Sequence, residues 1–177
     1  MKQKPKAFAF DVIGTLFAID SLEEKLKAAG LPDGTLKLWF QRLLRDAFAG
    51  EIAGQYKTFA EVASGALEVL LRENKVEPDK ARIDDVINTF AKLPAHSDVQ
   101  PAFRVLRDAG LPIFALTNGS AATTKKMFAN SGLEDQVEQF ISIDAVKHWK
   151  PAALVYLHAA KIARVKPEEL ALVATHD

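Results

Sequence analysis

The chain has 177 residues, 49% hydrophobic and 26% charged, which is enough for one domain with a full core and a smaller inserted module. Lys+Arg and Asp+Glu both number 23, so the formal charge is zero and nothing draws the chain toward nucleic acid or an anionic membrane. The lack of cysteine excludes disulfides, a thiol nucleophile and Cys-ligated zinc. No stretch reaches the ~18 apolar residues of a membrane span, and the apolar run behind the basic start is too short for a signal peptide. The expected location is therefore cytoplasmic.

In chain order, the first element is a short apolar strand, Ala7 to Phe10, with Asp11 at its C-terminal tip and Gly14 to stop it. About a hundred residues separate it from the next strand, and they carry helical patterns. Ser21 and Glu24 form a capping-box pattern before Leu22, Leu26 and Ala29, with Gly30 as the stop. Leu36, Trp39, Phe40, Leu43, Leu44 and Phe48 keep a helical rhythm, and Trp39, Phe40 and Phe48 are expected in a local core. Thr58 and Glu61 repeat the capping box before Val62, Ala66, Val69 and Leu70, and Ile83, Val86, Ile87 and Phe90 mark a fourth helix. A simple crossover needs far fewer residues, so 18–93 reads as an inserted helical module, with Leu93-Pro94 as its return hinge.

Three further strands are predicted at Leu111 to Leu116, Phe140 to Ile143 and Leu170 to Ala174. A helix from Ala121 to Asn130 follows the second strand, and Pro151 fits the first position of a helix through Tyr156 and Ala160 after the third. Strands alternating with helices imply an α/β, doubly wound parallel (Rossmann-like) core made of 1–17 and 94–177.

Asp11, Thr117-Asn118, Lys150 and Thr175-His176 all fall at or just past predicted strand ends. In a parallel sheet those ends share one edge, where ligands bind. The chemistry is coherent there. A carboxylate can attack an electrophilic carbon or phosphorus and form an ester. A lysine can pair with that carboxylate and with an anionic substrate. A hydroxyl and an amide at a helix start can donate to anionic oxygens, although capping the following helix is a competing role for Thr117-Asn118. Turn capping competes for Asp11, and plain solvation competes for Lys150 and His176. His96, His148 and His158 read as surface or packing residues.

The order Phe10-Asp11-Val12 with Gly14-Thr15-Leu16-Phe17, then Leu116-Thr117-Asn118-Gly119-Ser120, then Trp149-Lys150-Pro151 with Tyr156, then Val173-Ala174-Thr175-His176-Asp177, resembles the haloacid dehalogenase superfamily, and within it the type II 2-haloacid dehalogenase branch. The resemblance spans essentially the whole chain, including the helical insert, which matches that branch's cap. It implies that Asp11 displaces halide from C2 and forms an aspartyl ester, which water then hydrolyses. It implies that Lys150 orients and charge-stabilises Asp11, and that Thr117 and Asn118 hold the substrate carboxylate or the departing group. Thr15 would help place the Asp11 loop. The implied substrate-binding set is Thr15, Phe40, Gln41, Trp149, Thr175 and His176, and the implied partner is a small organic acid. No metal or other cofactor is implied; Mg2+ would enter only in a phosphatase-like reaction.

The chain departs from that pattern at several positions. Phosphatases of the superfamily carry a second Asp two residues after the nucleophile, where this chain has Ile13, which cannot move a proton. Dehalogenases place an Arg before the Gln of the cap helix, where this chain has Phe40; Arg42 lies one residue past Gln41, about 100° of helix turn away. His176 stands where dehalogenases often have Asn, and Asp177 falls before the position of their distal Asp. The resemblance implies a further strand–helix unit after this point; the expectation is that this unit is missing and that the fourth strand is an apolar edge. A shortened chain, or a partner chain such as a second copy in a homodimer, would account for that edge. Two rival readings stand beside dehalogenation: a superfamily hydrolase acting on another small molecule, and an inactive member with a binding or structural role.

Overall fold

The computed structural model describes residues 4–175. The chain divides into two compact units: the first runs to Ala18 and resumes at Pro94, and the second is Ile19–Leu93.

In the first unit, β1 (Ala7–Phe10), β2 (Ile113–Thr117), β3 (Gln139–Ser142) and β4 (Leu170–Val173) form one parallel sheet in the order β3-β2-β1-β4. Phe10 pairs with Ala115 and Val173, and Thr117 pairs with Ser142, so the C-terminal ends of all four strands lie along one edge. The two central strands are the most apolar and the most buried, as a sheet covered on both faces requires. Toward one face, Phe10, Phe103, Phe128 and Phe140 meet at ring separations of 5.0 to 6.4 Å. Toward the other, Ala9, Leu116, Leu170 and Leu172 line an apolar pocket of about 430 Å³ together with Tyr156 and Leu157. At the edge, Leu172 and Val173 of β4 are 45% and 36% exposed.

Helices α5 (Val99–Asp108), α6 (Ala121–Asn130) and α7 (Ala153–Ala163) complete this unit. Helix α5 is not among the elements expected from the sequence. Its apolar rhythm is short and Pro101 interrupts it, but Pro101 occupies the first turn, where a backbone N–H has no intrahelical acceptor to lose. Pro151 does not open α7. It lies in a turn closed by the Ala152 N–H donating to the Trp149 carbonyl (2.8 Å), and the helix starts at Ala153. Strand β2 begins two residues later than its apolar run and β3 ends one residue earlier, because Ser142 accepts from the Asp144 N–H and starts a tight turn at Ile143.

The second unit holds α1 (Ser21–Ala28), α2 (Thr35–Ile52), α3 (Phe59–Glu73) and α4 (Lys80–Thr89). Trp39 is its largest fully buried side chain, and the indole N–H donates to the Ala63 carbonyl (3.0 Å). Phe59 and Phe90 pack edge to face, 5.0 Å apart, beside it. The Thr58–Glu61 capping box forms in full. The one expected at Ser21–Glu24 does not: Leu22 and Glu23 donate to the Ile19 and Asp20 carbonyls, so the turn begins earlier, Asp20 is the N-cap and Ser21 is already helical. Phe48 is 39% exposed rather than in the core, because the buried stripe of α2 passes through Trp39, Leu43 and Ala47, one residue off. Among the described residues, no helix is long and apolar enough to cross a membrane.

Candidate active site

The loop after β1 brings two side chains onto one carboxylate. Asp11 continues the β1–β4 ladder by donating its N–H to the Val173 carbonyl (2.9 Å). The Val12 carbonyl then accepts from the amides of Thr15, Leu16 and Phe17, a turn that needs the positive φ of 82° at Gly14. Folded back in this way, the Thr15 hydroxyl donates to Asp11 Oδ2 at 2.6 Å. Lys150 Nζ approaches from the loop after β3 and donates to Asp11 Oδ1 (2.5 Å) and to the Leu116 carbonyl (2.9 Å). The two side chains of this ion pair are only 11% and 12% exposed. A charge pair so withdrawn from water has to be well hydrogen-bonded, and each member here has a second partner.

The loop after β2 holds Lys150 from behind. Asn118 Oδ1 accepts from the Lys150 backbone N–H (3.2 Å), which fixes the amide orientation and leaves the Asn118 NH2 group to donate elsewhere. Thr117 is 1% exposed, and its hydroxyl accepts from the Gly119 N–H (2.9 Å). Helix capping falls to neither residue: Ser120 is the N-cap of α6, accepting from the Thr123 N–H at 3.1 Å. Just past β4, Thr175 donates its N–H to Thr15 Oγ1 (3.2 Å) and its hydroxyl to the Gly14 carbonyl (3.1 Å). It therefore ties down the same turn that presents Thr15. Trp149, next to Lys150, is buried.

Of the residues singled out in the sequence, Asp11, Thr15, Thr117, Asn118, Lys150 and Thr175 thus share one hydrogen-bonded cluster at the strand ends. Phe40 and Gln41 belong to α2 of the helical unit, where Phe40 is buried and Gln41 exposed. Arg42 is engaged within that unit, donating to Glu73 Oε2 at 2.7 Å. His176 lies outside the described residues.

Two residues without an assigned role bear on this cluster, one through charge and one through a hydrogen bond. Burial raises the pKa of the Tyr156 phenol, and the negative charge of Asp11 raises it further. Ser142 ends β3 with a buried hydroxyl that donates to the Gly119 carbonyl (2.8 Å). The signal that located Asp11, a polar residue closing an apolar strand, also applies to Ser142. Ile13 is 8% exposed. Its Cδ1 lies 3.7 Å from where a Cβ on Gly119 would stand, so hydrocarbon occupies the position two residues after Asp11. Among the described residues, no three His, Asp or Glu side chains converge as a metal-ion site.

The chain is 29% identical to haloacetate dehalogenase H-2 of Moraxella sp. (strain B) over 98% of its own length and 79% of that protein's. It is 28% identical to the (S)-2-haloacid dehalogenase of Xanthobacter autotrophicus over 97% of its length and 68% of that protein's. The structure of L-2-haloacid dehalogenase from Xanthobacter autotrophicus with chloropropionic acid covalently bound superposes with a TM-score of 0.86 at 27% identity, over 95% of this chain and 69% of that one. A family model, haloacid dehalogenase-like hydrolase, matches residues 5–173, and the chain belongs to that family.

Proposed function

We propose that the chain hydrolyses the carbon–halogen bond of a small 2-haloacid, with Asp11 as the nucleophile. The observation that carries this reading is the Asp11 carboxylate held at the end of β1 between Lys150 and Thr15, in a chain whose similar proteins are dehalogenases. A carboxylate oxygen of Asp11 attacks C2, and the halide leaves with the electron pair of the carbon–halogen bond. Water then adds to the carbonyl carbon of the Asp11 ester. The ester C–O bond breaks, the 2-hydroxyacid departs, the carboxylate re-forms, and one proton passes to solvent.

The surrounding groups have separable tasks. Lys150 and Thr15 fix the two oxygens of Asp11, so the attacking atom is oriented before substrate arrives. The Asn118 NH2 group, whose orientation is set by the bond from the Lys150 N–H to Oδ1, donates to the substrate carboxylate. Thr117 shapes the loop that presents Asn118, and Thr175 braces the turn that presents Thr15. The Tyr156 phenol, its pKa raised, stays protonated and is a donor at neutral pH. Ile13 leaves no proton-transfer group two residues after the nucleophile, which disfavours phosphomonoester hydrolysis, and the halide displacement needs no cofactor.

Halide release from each enantiomer of 2-chloropropionate, from chloroacetate, and phosphate release from an ester panel with and without Mg2+ test the reading. Halide release by the wild type that Asp11→Asn abolishes is the expected result. Phosphate release that requires Mg2+, with no halide released, sinks it.

A further inference from the structure

We propose that Ser142 is a positioning residue that sets the orientation of Asn118 and, through it, the placement of Lys150. This deepens the proposed dehalogenation and rests on it. Ser142 is the last residue of β3 and pairs in register with Thr117, the last residue of β2. Its hydroxyl therefore stands between the two loops that leave those strands. It is 8% exposed, donates to the Gly119 carbonyl at 2.8 Å and accepts from the Asp144 N–H at 3.1 Å. A hydroxyl has one proton, so the bond to Gly119 uses its whole donor capacity.

The Gly119 end of the loop is thereby fixed twice. Its carbonyl is held by Ser142, and its N–H is held by Thr117 Oγ1 at 2.9 Å. The loop is drawn in so closely that a Cβ at Gly119 would stand 3.3 Å from Thr117 Oγ1. Asn118 is enclosed by the Thr117 Oγ1–Gly119 N–H bond and precedes the held carbonyl, and its side-chain oxygen accepts from the Lys150 N–H. Lys150 in turn reaches Asp11 and the Leu116 carbonyl. Removal of the Ser142 hydroxyl takes away the side-chain donor to the Gly119 carbonyl, and the loop shifts to recover one. A shift of that kind turns the Asn118 NH2 group away from the substrate carboxylate without removing any group that touches the substrate. A serine that only started the turn at Ile143 would do none of this.

The test is steady-state halide release from 2-chloropropionate by Ser142→Ala, with the thermal midpoint measured alongside. The expected result is a KM raised about fivefold or more, since a displacement of about an ångström is enough to lose a directed hydrogen bond. A merely structural loss lowers the folded fraction, and so the apparent kcat, but leaves KM alone. Ser142→Thr, which restores a hydroxyl, returns KM toward the wild-type value. A Ser142→Ala KM within about twofold of wild type overturns the proposal. Should Ser142→Ala not fold, Ser142→Cys, which keeps the volume and weakens the donor, is judged by the same KM criterion. A wild type that releases no halide refutes the proposed reaction instead. The loop assignment is then decided by amide hydrogen exchange at Gly119 and Lys150: faster exchange in the variant upholds it, and unchanged protection overturns it.

Discussion

Two lysine–carboxylate pairs, one in each unit, share the same 2.5 Å separation: Lys150–Asp11 at the strand ends and Lys80–Asp84 on α4. Their surroundings differ. The first pair is 11% and 12% exposed; the second is 85% and 49% exposed. A solvated pair exchanges water contacts for a partner with little net change, whereas a buried pair that loses one member leaves a charge without compensation. Distance therefore does not rank these interactions, and burial does. The same division holds for the units as wholes. The α/β unit gathers its buried polar bonds at one edge of the sheet, on Asp11, Thr117, Ser142 and Lys150. The helical unit keeps an apolar core around Trp39 and Phe90 and places its ion pairs, such as Lys25–Asp85, in solvent.

The largest expected effect comes from Asp11. Asp11→Asn keeps the shape and removes the nucleophile, so halide release falls by about 10^4-fold or more while the fold persists, as circular dichroism would verify. Activity within tenfold of wild type would dismiss Asp11 from the reaction. Lys150→Met comes next. Halide release falls by about 10^2- to 10^3-fold, as for loss of one preorganised donor. Thermal or urea unfolding registers a loss of about 3 kcal/mol, because Asp11 is left buried and unpaired. The double variant Asp11→Asn/Lys150→Met recovers much of that stability without recovering activity; if it does not, the cost lies in packing rather than in charge.

Much of this site was legible in the sequence because chemistry-bearing residues followed short apolar runs. The strand Ala7 to Phe10 is found with its expected bounds, and so is the helix Ala121–Asn130, whose ends carry Ser120 and Gly132 as punctuation. What could not be read was the partner of each polar group. Nothing local says that the Thr117 hydroxyl turns to Gly119, that Ser120 takes the cap, or that Asn118 holds a lysine 32 positions away, since these are consequences of strand register. Helix α5 was missed because Pro101 masks a pattern that packing of Phe103 against Phe10 and Phe128 completes. The failed capping box at Ser21 has a comparable origin: a preceding turn of chain, invisible in the pattern, starts the helix one residue sooner.

Within the helical unit the comparison predicts losses of stability from apolar positions. Phe40 stands where the resemblance calls for a substrate-side residue, yet it is buried. Phe40→Ala should cost about 3 kcal/mol in urea unfolding, a core-sized penalty. A loss under about 1 kcal/mol would mean that the ring is not part of that core. Thr58→Ala is smaller, about 1 kcal/mol, the usual cost of an N-cap. That loss should depend on pH. The Thr58 hydroxyl and then its N–H hold the Glu61 carboxyl below its ordinary 4.5. A carboxyl whose folded pKa is depressed contributes stability above the unfolded value and loses it as pH falls through the folded one. The gap between wild type and Thr58→Ala is therefore full above about pH 4.5 and narrows in more acid solution.

The smallest effect is expected at Lys80, and it separates distance from burial most directly. Lys80 is the first residue of α4, next to the N-cap Asp79. Its charge meets the positive end of the helix dipole, which is unfavourable by a few tenths of a kcal/mol. The pair with Asp84 is four residues apart and gains a similar amount, in the less favourable order with the basic residue first. The two contributions nearly cancel. Lys80→Ala should change the free energy of unfolding by less than about 0.5 kcal/mol in either direction, and adding salt should shrink what remains. A loss approaching that of Lys150→Met would show that the 2.5 Å contact itself carries the stability, and the ranking by burial would fall.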